Sequence, residues 1–230
     1  MTKSFAIIPA RAGSKRIPNK NIQLINGRPL IAFPILAALN SGIFDDVIVS
    51  TDSQRIAEIA RSFGASVPFI RDAKISDDFT PTIPVIRDAI SKLPEVNEED
   101  IITCIYPTSI FVTPDLLKKA YPLTHSLKHR NFVVTFTSFP YPIQRALRMD
   151  SENKLNFISA ENANMRSQDL ETTYHDAAQF YMARACTWKS EESVFNEAVG
   201  VEISRKYVQD IDTFEDLENA RYLINMIEHS

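Results

Sequence analysis

The sequence lacks the features that identify zinc, redox and membrane proteins. Its two cysteines, Cys104 and Cys186, lie far apart and match no C-x-x-C spacing, which favours free thiols in a reducing compartment. No apolar run approaches the ~20 residues of a membrane-spanning helix. Residues 1–5 lead directly into an apolar run, so we expect no signal peptide, no membrane partner and a cytoplasmic location.

An excess of positive charge is also absent. The chain has 25 Lys and Arg against 29 Asp and Glu, a net charge of −4, which argues against a nucleic-acid partner. Its 230 residues, 44% hydrophobic and 23% charged, fit one globular domain over 1–230 with an appended arm. Any strongly basic segment therefore stands out and favours a small anionic ligand.

Such a segment follows the first apolar run, residues 5–8. The chain has neither the G-x-x-x-x-G-K-[ST] nor the G-x-G-x-x-G phosphate motif, yet residues 11–21 carry four cations. A solvated surface turn is the plain alternative. We expect an anion site in which Arg11 and Lys20 make charge-assisted hydrogen bonds to phosphate. The backbone N–H groups of three residues are expected to form a nest for phosphate oxygens: Ala12, Gly13 and Ser14.

Strand-like and helix-like runs alternate along most of the chain. The strands are apolar throughout, which is typical of a sheet covered on both faces. The pattern predicts an α/β, doubly wound, mostly parallel sheet. Predicted strands are 5–8, 47–49, 67–70, 101–105, 132–136 and 199–203. Predicted helices are 29–41, 56–63, 84–93, 114–127 and 214–228.

The alternation breaks after Ser138. Proline punctuates residues 139–142, and the residues that follow are polar and alternating. We interpret 138–181 as an antiparallel arm inserted into the domain.

Asp210 and Asp212 lie two residues apart near the C-terminus. In an extended segment this spacing puts both carboxylates on one face, which suits Mg²⁺. A helix cap formed by Asp212 with Glu215 is an equal alternative.

Two further polar positions are ambiguous. Asp52 or Ser53 is expected to cap the helix that follows. Arg71 holds either a phosphate or a local ion pair.

Four motifs together resemble one enzyme family. I-I-P-A-R-A-G-S-K-R-I-P-N-K-N, V-S-T-D-S, Y-P-T-S and D-I-D occur in this order and resemble the CMP-sugar synthetases that activate nonulosonic (sialic-type) acids. Within that family, R-S-Q-D-L and Y-H-D-A-A-Q-F-Y, with Tyr106 in place of a glutamine, favour pseudaminic acid over sialic acid as the sugar.

The resemblance implies a Rossmann-like, GT-A-like nucleotidyltransferase fold and a homodimer held by the inserted arm. It implies CTP and a nonulosonic acid as substrates and Mg²⁺ as cofactor, bound by Asp210 and Asp212. Arg11 and Lys20 would neutralise the departing pyrophosphate, and Asp212 would accept a proton. The implied sugar residues are Arg166, Gln168, Gln179 and Tyr181. The expected nucleotide residues are Ala10, Arg11, Ala12, Gly13, Ser14, Lys20, Asn21, Arg71, Thr82, Tyr106 and Thr108.

Alternatives in other classes remain open at this point. The family also contains synthetases for sialic and legionaminic acid. A D-x-D nucleotide-sugar glycosyltransferase uses a similar acidic pair, although usually at a mid-sheet strand. A nucleotide sensor without catalysis is a third possibility.

Overall fold

The computed structural model describes residues 2–127 and 131–228. Its strands are β1 (Ser4–Pro9), β2 (Leu24–Ile25), β3 (Arg28–Pro29), β4 (Asp46–Ser50), β5 (Ile101–Ile105), β6 (Val133–Ser138), β7 (Leu147–Met149), β8 (Leu155–Phe157), β9 (Tyr174–Arg184) and β10 (Val199–Glu202). Its α-helices are α1 (Ala32–Ser41), α2 (Gln54–Ser62), α3 (Thr82–Ser91), α4 (Pro114–Ala120), α5 (Ala185–Ser190) and α6 (Phe214–Glu228). Short 3-10 turns include Lys20–Ile22, Tyr121–Ser126 and Arg205–Tyr207.

Six strands form the central sheet in the order β10-β6-β9-β5-β1-β4. All neighbours are parallel except β9, which runs antiparallel to both β5 and β6. The predicted doubly wound, mostly parallel α/β fold is confirmed.

The sheet is covered on both faces, as the apolar strands predict. Successive residues of β1 alternate between two cores: Ile8 packs in a cluster with α1 and α2, whereas Ile7 packs in a cluster with α3. Because every residue of β5 is buried, hydrophobic burial on both faces is a main source of stability for this sheet.

Proline shortens three predicted elements. Residues 67–70 are not a strand: isolated bridges form at Ser66, just before this segment, and at Ile70, because Pro68 between them has no N–H for a ladder. Helix α4 ends at Ala120 and continues as a 3-10 turn, because Pro122 cannot donate an α-helical hydrogen bond. Pro29 lies in the β2–β3 hairpin, so α1 begins three residues later than predicted.

The inserted arm is shorter than predicted. Residues 139–173 leave the sheet and carry the β7–β8 hairpin, but β9 begins at Tyr174 and returns to the central sheet. Gln179 and Tyr181 therefore belong to the sheet and not to the arm. Within the described part of the chain, no helix has the length and apolar character needed to span a membrane.

Candidate active site

A cavity of about 330 Å³ opens at the edge of the sheet where the parallel strands end. Its lining includes residues from the loop after β1, the segment before α3, the turn after β5, strand β9 and the segment before α6. The predicted site residues that line the cavity are Arg11, Ser14, Lys20, Asn21, Arg71, Thr82, Tyr106, Thr108 and Asp210. Arg11 and Asp210, 199 residues apart in sequence, thus meet at one place.

Other predicted residues lie outside the lining formed by the described residues. Those from the basic loop are Ala10, Ala12 and Gly13, and Asp212 lies beside the lining residue Asp210. The four predicted sugar residues also lie outside it: Arg166, Gln168, Gln179 and Tyr181.

The predicted backbone nest is not preformed. The N–H of Ala12 donates to Asp52 Oδ1 at 2.8 Å, and the N–H of Ser14 donates to the carbonyl of Ala12 at 2.9 Å. Two of the three amides are therefore engaged within the protein. Asp52 can accept the hydrogen bond from Ala12 because Ser53 caps α2 in its place: Ser53 Oγ accepts from the N–H of Ile56.

An acidic side chain holds two of the loop cations. The Asp78 carboxylate lies 2.5 Å from Arg11 Nη1 and 2.7 Å from Lys15 Nζ. Hydrogen bonds from Lys15 and Arg11 lower the pKa of Asp78, so the carboxylate is charged at neutral pH. A carboxylate on these cations occupies the position expected for an anionic ligand.

Lys20 and Asn21 occupy the 3-10 turn after the loop, which follows Asn19 in the left-handed region at φ 54°. Asn21 is 4% exposed and donates from Nδ2 to the carbonyl of Arg11, while its Oδ1 has no partner among the described residues. A buried acceptor without a donor is costly, and Asn21 is one of the residues that line the cavity. Asn21 therefore offers a hydrogen-bond acceptor to a ligand.

Lys20 joins this turn to the acidic segment before α6. Its Nζ donates to the carbonyl of Ile211 at 2.8 Å and to Asp212 Oδ1 at 3.0 Å. Arg16 contacts the other Asp212 oxygen at 2.9 Å. The basic loop and the acidic pair are therefore one electrostatic unit.

The cap alternative for Asp212 is wrong. A capping box is present, but it consists of Thr213 and Asp216: the Thr213 N–H donates to Asp216 Oδ2, and the Asp216 N–H donates to Thr213 Oγ1. Asp216 satisfies the helix end, so Asp210 and Asp212 are not required there.

Asp210 and Asp212 have a donor set suited to Mg²⁺. Partial desolvation and the neighbouring Asp212 carboxylate raise the pKa of Asp210, an effect that Lys20 opposes. Within residues 2–127 and 131–228, no three His, Cys, Asp or Glu side chains gather as a metal cluster. Mg²⁺ commonly takes one or two carboxylates and completes its shell with water and substrate phosphates, so two carboxylates fit that ion.

Arg71 lines the cavity and is almost fully buried. Its Nε donates to Ser76 Oγ at 3.0 Å and its Nη1 to the Ser50 carbonyl at 3.3 Å. Burial lowers the pKa of Arg71, while the charges of Asp52 and Asp88 oppose this. Without a salt bridge within 4 Å among the described residues, this guanidinium retains charge for an anion in the cavity.

Thr82 and Tyr106 face each other in the cavity. Their hydroxyl oxygens are 2.7 Å apart, and burial raises the pKa of Tyr106 to about 12. Tyr106 therefore remains a neutral hydrogen-bonding phenol at physiological pH.

The predicted sugar residues divide into two groups. Arg166 and Gln168 are exposed on the arm, where Arg166 makes a bidentate pair with Asp169. Gln179 and Tyr181 are buried in β9: Gln179 Nε2 donates to the carbonyl of Tyr207, and the Tyr181 hydroxyl donates to the carboxylate of Asp176. No hydrogen bond among the described residues joins the two groups.

Sequence reasoning missed five lining residues with polar or conformational roles. Three of them are acidic or hydroxyl residues that belong to no motif, and the other two lie within Y-P-T-S and Y-H-D-A-A-Q-F-Y but have no polar side chain. They are Asp77, Asp78, Thr80, Pro107 and Ala178.

The comparisons with known proteins agree with one another. A sequence model of the cytidylyltransferase family matches residues 5–226. A pseudaminic acid cytidylyltransferase of Campylobacter jejuni is 41% identical over 230 residues, covering 99% of both chains. A CMP-N,N'-diacetyllegionaminic acid synthase of Legionella pneumophila is 42% identical over 117 residues, which is 50% of each chain. Among solved structures, a CMP:2-keto-3-deoxy-manno-octonic acid synthetase complexed with CTP superposes with a TM-score of 0.71, at 17% identity and with 98% and 99% of the two chains covered. That structure supports the fold.

Proposed function

The chain belongs to the cytidylyltransferase family, and from this we propose that it transfers CMP from CTP to the anomeric oxygen of pseudaminic acid, releasing pyrophosphate. The observation that carries the proposal is the cavity in which the basic loop and the segment of Asp210 meet. Phosphoryl-type transfer needs positioning and charge neutralisation more than a covalent nucleophile. The cavity has both cations and carboxylates for that purpose.

In this proposal, Arg11 and Lys20 bind the triphosphate and neutralise charge on the departing pyrophosphate. Asp210 and Asp212 would hold Mg²⁺, which supplies Lewis-acid polarisation of phosphate oxygens when bound. The same carboxylate pair is the proposed acceptor of the sugar hydroxyl's proton. Within the pair, Asp210 is better placed than Asp212, because Asp210 lines the cavity and Asp212 is engaged by two cations.

The choice of sugar follows the relatives. Full-length identity of 41% to a pseudaminic acid enzyme favours that acid over legionaminic acid, whose synthase matches only half of this chain. Family membership also argues against a D-x-D glycosyltransferase. A cytoplasmic location is proposed on the same basis, since CTP is the substrate.

The experiment measures pyrophosphate release with CTP and Mg²⁺ against pseudaminic acid, Neu5Ac, legionaminic acid and Kdo. We expect the highest kcat/KM with pseudaminic acid. A higher value with another acid would reassign the substrate. No release with any acid would refute the enzyme proposal.

We also propose that the arm forms a homodimer and that each arm reaches the partner's cavity. The arm exposes apolar side chains that a monomer leaves in water, including Tyr141 at 81%, Met149 at 63% and Leu155 at 60%. Arg166 is on the same arm and away from its own cavity. A partner subunit would therefore bury the apolar side chains of the arm, and its cavity would receive Arg166.

Leu155→Glu is expected to convert the dimer to monomer in sedimentation velocity. Because it leaves the CTP cavity intact, we expect CTP affinity to stay within about twofold while the KM for the acid rises at least about tenfold, equivalent to 1.4 kcal/mol. Glu152→Gln, at the tip of the same hairpin, is the matched control. A dimeric Leu155→Glu variant, or a monomeric wild type, would contradict the arm interface.

Asp78→Asn is expected to tighten CTP binding roughly two- to tenfold in titration calorimetry, because phosphate no longer competes with a carboxylate for Arg11 and Lys15. Asp77→Asn is the control, since among the described residues Asp77 bonds only Phe79 and Thr80, within its own loop. Unchanged or weaker CTP binding by Asp78→Asn would show that Asp78 does not compete with the nucleotide.

A further inference from the structure

Strand β9 contains a large bulge beside the cavity. On β6, Phe136 pairs with Asp176 and Val134 pairs with Tyr181, so a two-residue step on one strand faces a five-residue step on the other. Within the bulge, Ala178 has a φ of 49°, which is unfavourable for a residue with a Cβ. Ala178 also lines the cavity. A strained backbone at this place needs specific support.

The carboxylate of Asp176 supplies that support. Its Oδ1 accepts from the N–H of Ala178 at 2.9 Å, and its Oδ2 accepts from the hydroxyl of Tyr181. Asp176 thus spans the bulge from one end to the other. It is absent from the cavity lining formed by the described residues.

Tyr181 extends this support to the nucleotide side of the cavity. Its ring packs edge-to-face on Tyr106 with centroids 5.6 Å apart, and Tyr106 in turn bonds Thr82. Burial raises the pKa of Tyr181 well above its ordinary value, so the phenol stays protonated and can donate to Asp176. A continuous series of side-chain contacts runs from Asp176 to Thr82.

The backbone of the bulge contacts the same wall. The carbonyl of Gln179 accepts from the N–H of Tyr106 at 3.0 Å and from Ser109 Oγ at 2.9 Å. A shift of the bulge would therefore move the turn after β5, from which Tyr106 and Thr108 line the cavity.

We propose that Asp176 is a positioning residue: it holds the β9 bulge and the Tyr181–Tyr106–Thr82 series in the geometry that binds the nucleotide. The inference rests on the proposed CTP site but not on the identity of the sugar. Asp176 acts through Ala178 and Tyr181, since it is not among the described residues that line the cavity.

The test is a double-mutant cycle of Asp176→Asn and Tyr181→Phe, with CTP affinity measured by titration calorimetry. Asp176→Asn removes the charge at nearly constant size, and Tyr181→Phe removes only the hydroxyl. We expect each single variant to weaken CTP binding about five- to tenfold. Because both substitutions act through one contact, the CTP affinity of the double variant should be within about twofold of that of the more weakly binding single variant.

Thermal melts accompany each titration, and Glu202→Gln, an exposed acid on β10, is the matched control. CTP affinity within twofold of wild type in folded Asp176→Asn, or effects that multiply in the double variant, would overturn the proposal. If Asp176→Asn does not fold, Tyr181→Phe is the deciding variant, and CTP affinity equal to that of wild type in this variant would also overturn the proposal. Wild type that binds CTP but transfers no CMP would refute the proposed function and leave this test valid.

Discussion

Asp210→Asn is expected to lower kcat about a thousandfold or more, with little change in the melting temperature. The substitution keeps the shape of the side chain but removes the carboxylate that lines the cavity beside the Lys20–Asp212 ion pair. Removing one preorganised charge from such a centre commonly costs ~10²–10³ in rate, and a lost metal ligand adds to this. The measurement is pyrophosphate release at saturating CTP, sugar and Mg²⁺.

Asp216→Asn is the matched control from the same segment. Asp216 caps α6, and hydrogen bonds from Thr213 outweigh its desolvation and lower its pKa. We expect this variant to lose roughly 0.5–2 kcal/mol of stability, as other cap removals do, and to retain kcat. Near-normal turnover by Asp210→Asn would contradict the proposal that the acidic pair binds the metal.

Lys20→Met is expected to lower kcat/KM for CTP about a hundredfold. Lys20 is only 21% exposed at its side chain, and its Nζ connects the basic loop to Ile211 and Asp212. The variant loses a cation for the triphosphate and releases Asp212 from one of its two ion pairs. Initial rates over a CTP series give the value.

Lys15→Met tests whether charge alone matters. Lys15 lies on the same loop, but its side chain is 80% exposed and contacts Asp78. Loss of this lysine should change kcat/KM less than about fivefold, since exposed pairs contribute little. Equal losses in the two variants would mean that the loop acts through its net charge and not through the position of Lys20.

The fold was largely predictable because it follows from local patterns. Strands that are apolar throughout indicate a sheet covered on both faces, and the structure has two cores on either side of β1. Three predicted elements differ because of proline. The effect of Pro68 on residues 67–70 depends on whether a neighbouring strand needs the backbone N–H that proline lacks. The placement of β9 in the central sheet could not be predicted, because strand neighbours are chosen by long-range contacts.

The candidate site was predictable where residues carry a charge within a motif. Arg11, Lys20 and Asp210 meet in the cavity as expected. Asp78 was missed because its role depends on a contact with Arg11, 67 residues away in sequence, that no spacing rule reveals. The capping alternative for Asp212 is wrong because Thr213 and Asp216 form the capping box, and both lie as near the helix start as Asp212 and Glu215 do.

The arm leaves and rejoins the sheet at one place. Ser138, at the end of β6, pairs with Tyr174, at the start of β9, and the N–H of Phe139 donates to the carbonyl of Thr173. The 35 residues between Ser138 and Tyr174 form an insertion whose two ends are paired with each other. Its length and sequence can therefore change without altering the register of any core strand. Exchanging this segment between relatives is thus a graft at a single junction, which would change the acceptor contacts proposed for the arm and leave the central sheet as it is.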